Sequence, residues 1–197
     1  MKPRRLATLT LVLAGLACAS PEKQIEASRR YQSITYNDTT IESFGRTDRA
    51  VTGVLVSGPG DSVRFRIRAA QDDLVAGVDI TLHPATSRDE APRTARVGMP
   101  KGTVPLMGTS VAFLEQLLRR ARAVGGDSVT IPVMQVGAQA SLEVFTVIQN
   151  GSDSVVLVGA DGNQTMGLHL AVDGQGRILG GVIPASGSKI QSLDAAQ

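Results

Sequence analysis

The chain has no Trp, only two Tyr and four Phe, a single Cys and two His among 197 residues. Each scarcity excludes something. Without aromatic side chains to stack on bases, and with charge that is not concentrated on one side, nucleic-acid binding is not expected. One cysteine forbids an internal disulfide, so the folded domain must be held by its core. Two isolated histidines, His83 and His169, fit neither H-x-x-x-H nor H-E-x-x-H, and no cysteine set accompanies them, so no metal or cofactor is indicated. There is no P-loop and no G-x-S-x-G elbow. The longest uncharged apolar run, Leu6 to Ala17, is twelve residues, short of the about 20 that a spanning helix needs.

That run is informative for another reason. Lys2, Arg4 and Arg5 precede it and small residues follow it, the pattern of a secretory signal over residues 1–19. Two processing routes are open. Ala17-Cys18-Ala19 fits the A-x-A rule and would release a chain starting at Ser20. Gly15-Leu16-Ala17-Cys18 resembles the lipobox of bacterial lipoproteins, with Gly15 and Leu16 departing from the usual residues, and implies lipidation of Cys18. Ala19 after it resembles an outer-membrane sorting signal. The expected location is therefore an outer-membrane lipoprotein or a periplasmic or secreted protein. The formal charge of +2 also belongs to the signal: removing Lys2, Arg4 and Arg5 leaves 17 basic and 18 acidic residues, or −1.

Residues 20–30 read as a polar tether, 31–190 as one domain and 191–197 as a tail. Within the domain, short apolar runs alternate with Gly, Asp, Asn and Pro, which predicts antiparallel strands. Asp-Ser-Val occurs at 61–63, 127–129 and 153–155, each time just after glycine. Glycine supplies positive φ, and Asp and Ser bond nearby backbone, so the repeat predicts turns feeding strands. The block resembles the GDSL motif of serine hydrolases, but three copies at strand entries favour turn chemistry. Strands are expected at Gly53–Ser57, Val63–Arg68, Val78–Leu82, Val129–Val136, Ser141–Ile148, Val155–Val158, Met166–Val172 and Arg177–Ile183. The last two form a hairpin around Asp173–Gly176, and Asp161-Gly162-Asn163 is another turn. One helix stands out at about 110–124, with Ser110 as N-cap, an apolar stripe (Val111, Leu114, Leu117, Leu118, Ala121, Val124) and Gly125 as terminator. The stretch Pro84–Pro105, with four prolines, reads as irregular.

Two candidate surfaces follow from strand alternation. Val63, Phe65, Ile67, Val78, Ile80 and Leu82, with Phe113 and Leu117 of the helix, form an apolar set that lines a concave face or fills a core. Arg64, Arg66 and Arg68 stand opposite, about 7 Å apart, and suit anionic groups or a protein partner. Ser186-Gly187-Ser188-Lys189 spells the S-x-x-K of penicillin-binding enzymes, without their partner motifs.

The late hairpin, with Val172-Asp173 and Gly176-Arg177-Ile178-Leu179, resembles those of uncharacterised exported bacterial proteins and, more loosely, the lipoprotein-carrier superfamily. That resemblance implies a strongly curved antiparallel sheet, or partial barrel, wrapped around a helix, with acyl chains held in the hollow. The expectation is a mainly β, non-catalytic envelope protein that binds a lipid or other hydrophobic ligand. The alternatives are an interaction module that meets an envelope partner through the arginine face, and a hydrolase using His83 or His169.

Overall fold

The computed structural model describes residues 24–36, 38–58, 60–69, 74–85, 91–137, 140–164 and 167–194. Cys18 and the signal segment lie outside the described residues. The strands are β1 (Gln24–Ile34), β2 (Thr39–Thr47), β3 (Ala50–Val56), β4 (Ser62–Ala69), β5 (Val75–His83), β6 (Arg93–Gly98) and β7 (Val104–Leu106). Helix α1 (Val111–Val124) follows, then β8 (Ser128–Gln135), β9 (Ser141–Gln149), β10 (Ser154–Val158), β11 (Leu168–Val172), β12 (Ile178–Ile183) and β13 (Ser188–Ser192). All the strands join one sheet in the order β6-β5-β4-β3-β2-β1-β13-β12-β11-β10-β9-β8-β7. Every neighbouring pair is antiparallel except β7 with β8. The fold is thus mainly β, with one open sheet and one principal helix.

The sheet rolls, and the one helix among the described residues shows why. Thirteen strands spaced about 4.8 Å apart would make a ribbon far wider than a 14-residue helix can cover. Yet Tyr31 of β1, Phe65 of β4, Val104 of β7, Ile131 of β8, Leu170 of β11 and Ile190 of β13 share one buried core with α1. Only a curled sheet brings them to one helix. Gly53 helps: a Cβ there would stand 2.5 Å from Phe65 and 2.7 Å from Phe44, so its absence lets both rings close over β3. Phe65 then meets Phe113 of α1 edge-on at 5.1 Å.

All three Asp-Ser-Val repeats enter strands, at Ser62, Ser128 and Ser154, and Gly60, Gly126 and Gly151 before them have positive φ. The late hairpin closes as its turn chemistry predicts, with Asp173 Oδ1 accepting the amides of Gln175 and Arg177. Three expectations are corrected. The irregular stretch Pro84–Pro105 contains β6 and β7, whose pairing the prolines obscure. The tether ends early, because Gln24–Arg30 belong to β1, paired with β2 and followed by core residue Tyr31. The tail likewise gives up its first two residues to β13, which ends at Ser192. Of the Met166–Val172 strand, Leu168–Val172 is β11, and Met166 lies outside the described residues.

Candidate functional site: an inner crevice beside a pinned helix

Two buried carboxylates, Glu42 on the sheet and Glu115 on the helix, hold α1 inside the curl. Glu42 of β2 is 2% exposed and accepts the Ser110 hydroxyl at 2.7 Å and the amides of Val111 and Ala112 at 2.6 and 3.1 Å. The expected cap therefore comes from another element: Ser110 occupies the N-cap position, but its side chain makes no cap bond and donates to Glu42 instead. Orphan amides at a helix start need an acceptor, and a carboxylate also complements the dipole. Burial pushes the Glu42 carboxyl up to about 7, against the pull of these three hydrogen bonds. Ser110 can donate or accept, so it suits either protonation state.

Glu115, on the helix's buried side, receives Arg29 through two bonds of 2.7 Å and the Ile178 amide at 3.1 Å. Arg29 also donates to the Tyr31 hydroxyl at 3.1 Å and lies 4.9 Å over the Phe44 ring. Tyr31 in turn donates to the Ile178 carbonyl at 2.8 Å and stacks on Phe44. Burial, partly offset by the Arg29 charge, raises the Tyr31 hydroxyl to about 12. The network joins β1, β2, α1 and β12.

The apolar set anticipated around β4, β5 and α1 does gather on the inner face. Phe65, Ile67, Val78, Phe113 and Leu117 are all buried in the common core, with Ile80 packed against it. Val63 and Leu82 pair across the same inner face and are half-buried. The sheet's inner packing opens elsewhere, in the other half. Leu106, Leu114, Phe145, Leu157, Leu168 and Ile183, with Thr109 and Gln135 and the glycines 108, 159 and 167, line a crevice of about 210 Å³. It lies beside the N-terminal turn of α1, toward the end of the rolled sheet where β11 begins and β12 ends. That end is the mouth. The smaller hollow beside it shares Thr109, Leu168 and Ile183 and runs to Ser33 and Ile34.

A wider, shallower groove of about 580 Å³ crosses the outer face over β10 to β13, where Gly180 carries no side chain. It is open to solvent along its length. His169 borders it, with Nε2 3.1 Å from the Gln164 carbonyl. His83 ends β5 opposite Ser62, on the far part of the sheet. Among the described residues no cluster of His, Cys, Asp or Glu is placed to hold a metal. Ser186 and Ser188 share a hydrogen bond in the β12–β13 connection, and Lys189 is a strand residue rather than one turn up a helix.

Arg64, Arg66 and Arg68 emerge on the outer face, as alternation predicts. Asp79 on β5 lies opposite Arg66 and binds Arg68 at 3.3 Å and Arg96 of β6 at 2.8 Å. Asp79 thus binds two guanidinium groups, Arg68 and Arg96, and faces a third, Arg66, across the ladder.

No protein-family model matches the chain, and no curated protein does. Among solved structures, the fold is similar to that of a DUF1089 family protein from Pseudomonas aeruginosa. The two are 12% identical, with a TM-score of 0.49, over 89% of this chain and 95% of that one. The likeness concerns the fold alone, and no residue role is transferred through it.

Glu42, Glu115 and Arg29 were not singled out by the sequence reading. Glu115 had a signal: it interrupts the buried stripe between Leu114 and Leu118, where an acid is tolerated only with partners. Arg29 and Glu42 had none, because their inward direction depends on strand pairings far apart in the chain.

Proposed function

We propose that this protein is an exported, non-catalytic binding protein that holds the apolar tail of an amphiphile in its inner crevice. The observation that carries the reading is the crevice itself: an opening with aliphatic and aromatic walls, few polar groups, and a place beside the mouth of the sheet. Its size narrows the ligand. About 210 Å³ is below the roughly 300–1,000 Å³ of a drug-sized site, so it suits one acyl chain rather than a whole diacyl lipid. Export is the expectation from residues 1–19.

The test is a native and a denaturing mass spectrum of the protein purified from a bacterial envelope. An adduct seen natively, removed by denaturation and absent from Leu168→Trp, supports the reading and supplies the ligand. A bare chain that also fails to take up a fluorescent fatty acid overturns it. The denatured mass additionally reads Cys18: a chain starting there with acyl groups is a lipoprotein, and one starting at Ser20 is a soluble exported protein.

A second reading, contact with an envelope protein through the arginine face, is favoured by the excess of guanidinium over carboxylate around Asp79. Arg64→Glu should then abolish capture of the partner and leave any apolar adduct in place.

A further inference from the structure

The two edges of the sheet are finished differently. An edge strand presents unpaired amides and carbonyls, and proteins blunt it by shortening it, covering it or placing proline in it. β7 has all three devices: it is three residues long, buried at each position and contains Pro105. β6 has none of them. It runs six residues without proline, has β5 as its one neighbour in the sheet, and is exposed at every position except the half-buried Val97.

The phase of the ladder identifies which backbone groups are free. The Met99 amide bonds the Ala76 carbonyl, so hydrogen-bonded pairs recur at Val97 with Val78, Ala95 with Ile80 and Arg93 with Leu82. The amides and carbonyls of Thr94, Arg96 and Gly98 therefore point away from β5, out of the sheet edge. Ala95 faces inward opposite Ile80 and is exposed as well, so β6 extends beyond the part of the sheet that the core covers.

We propose that β6 receives an extended acidic segment of another protein as an added strand. The charge of the edge selects that partner. Strands β4, β5 and β6 carry five arginines against one carboxylate, Asp79, and residues 91–102 carry Arg93, Arg96 and Lys101 with no acid. Arg96 stays 75% exposed although its Nε bonds Asp79. A second copy of this chain fits badly. Two β6 strands paired about a two-fold axis bring Arg96 opposite its own copy or diagonal to it on the same face, and like charges so placed are destabilising. The arginines that oppose self-pairing thus admit a strand of opposite sign. Acidic side chains at alternate positions of the segment would lie beside Thr94 and Arg96 on the outer face, and small apolar ones between them would meet Ala95 and Val97 on the inner face. The proposal does not depend on the crevice reading, and it differs from contact through the arginine face in requiring the backbone of β6.

The experiment is titration of the envelope-purified protein with a fluorescent peptide that alternates Glu and Val, read by anisotropy and by NMR-resolved amide exchange. Binding should weaken from about 50 to about 500 mM salt. The amides of Thr94, Arg96 and Gly98 should gain protection, while those of Arg93, Ala95 and Val97, already bonded to β5, should change little. Thr94→Pro removes one outward amide and none that β5 uses, and Arg96→Glu reverses the charge. Each should weaken binding by about tenfold or more with little change in the urea midpoint, and a Lys–Val peptide should not bind. An acidic peptide that fails to bind at millimolar concentration overturns the proposal, and so does equal binding of the Lys–Val peptide. Binding that is lost in Arg64→Glu but kept in Thr94→Pro overturns it in favour of the arginine face. A concentration-dependent dimer that Thr94→Pro abolishes overturns it in favour of a second copy.

Discussion

The two halves of the inner face are built from the same residue types and behave differently. Over β1 to β5 helix and sheet meet through direct side-chain contacts: Phe65 meets Phe113, and Arg29, beside the Tyr31–Phe44 stack, is bound to Glu115. Over β9 to β12 the side chains facing the N-terminal turn of α1 are no more polar, yet a crevice remains between Phe145, Leu157, Leu168 and Ile183. What separates the halves is how the helix is held. Its buried carboxylate Glu115 faces β1 and β12, and its N-terminus is tied to β2 through Glu42. These two ties fix the N-terminal half of the helix against β1, β2 and β12, while its backbone lies nearest β7 and β8.

Removing one tie is the strongest way to break that contrast. Glu115→Leu leaves the Arg29 guanidinium inside without its carboxylate and the Ile178 amide without its acceptor. Loss of one member of a buried pair costs about 3–5 kcal/mol, which a urea titration would read directly. Arg29→Met with Glu115→Leu should recover a large part of that loss, because no charge is then stranded.

Glu42 offers a titratable version of the same test. The unfolded carboxyl ionises near its ordinary value of 4.5, whereas the folded one ionises at about 7. Between these values the folded state holds the extra proton, so stability falls as pH rises. The contribution is complete below 4.5 and is lost as pH passes about 7, a change of roughly 3 kcal/mol. Stability curves of Glu42→Gln should lack this slope between pH 4.5 and 7, and a variant that keeps the parent's slope would show that another group carries it.

Filling the open half should do the opposite: little to stability and much to binding. Leu168→Trp is expected to move stability by no more than about 1 kcal/mol while removing uptake of a fluorescent fatty acid. Phe65→Trp, in the packed half, would instead crowd Phe113 and Gly53 and destabilise by about 1–3 kcal/mol. The smallest effect is expected on the outer face. Arg64→Glu, exposed and opposite Thr81 and Val54, should change the urea midpoint by less than the equivalent of about 0.5 kcal/mol.

Local features were legible where the chain makes its structure from neighbours. The Asp-Ser-Val turns, the helix from Val111 to Val124, the late hairpin and the outward arginines all follow from contacts within a few residues or from alternation. The curled sheet was legible in outline, because one amphipathic helix and many short strands leave few other ways to bury the apolar faces. β6 and β7 were hidden by prolines at 92, 100 and 105, which sit just outside β6 or at the short edge strand β7, where a missing amide donor does little harm. The crevice was not legible at all: its walls come from residues 106 to 183, and its existence depends on gaps between side chains rather than on their identity.

The sequence by itself determined the mainly β character, the one helix of the domain, the turn positions, the inward and outward sides of β4 and β5, and a formal charge of −1 outside residues 1–19. These are properties of residue type and short-range geometry, which each segment carries with it. The tertiary structure alone decided that β1 lies beside β13, that Glu42 caps a helix 68 residues away, and that Arg29 belongs to β1 and binds Glu115 rather than forming part of a tether. Each of these depends on which strands become neighbours, and that is set by the closure of the whole apolar interior around α1 rather than by any one segment.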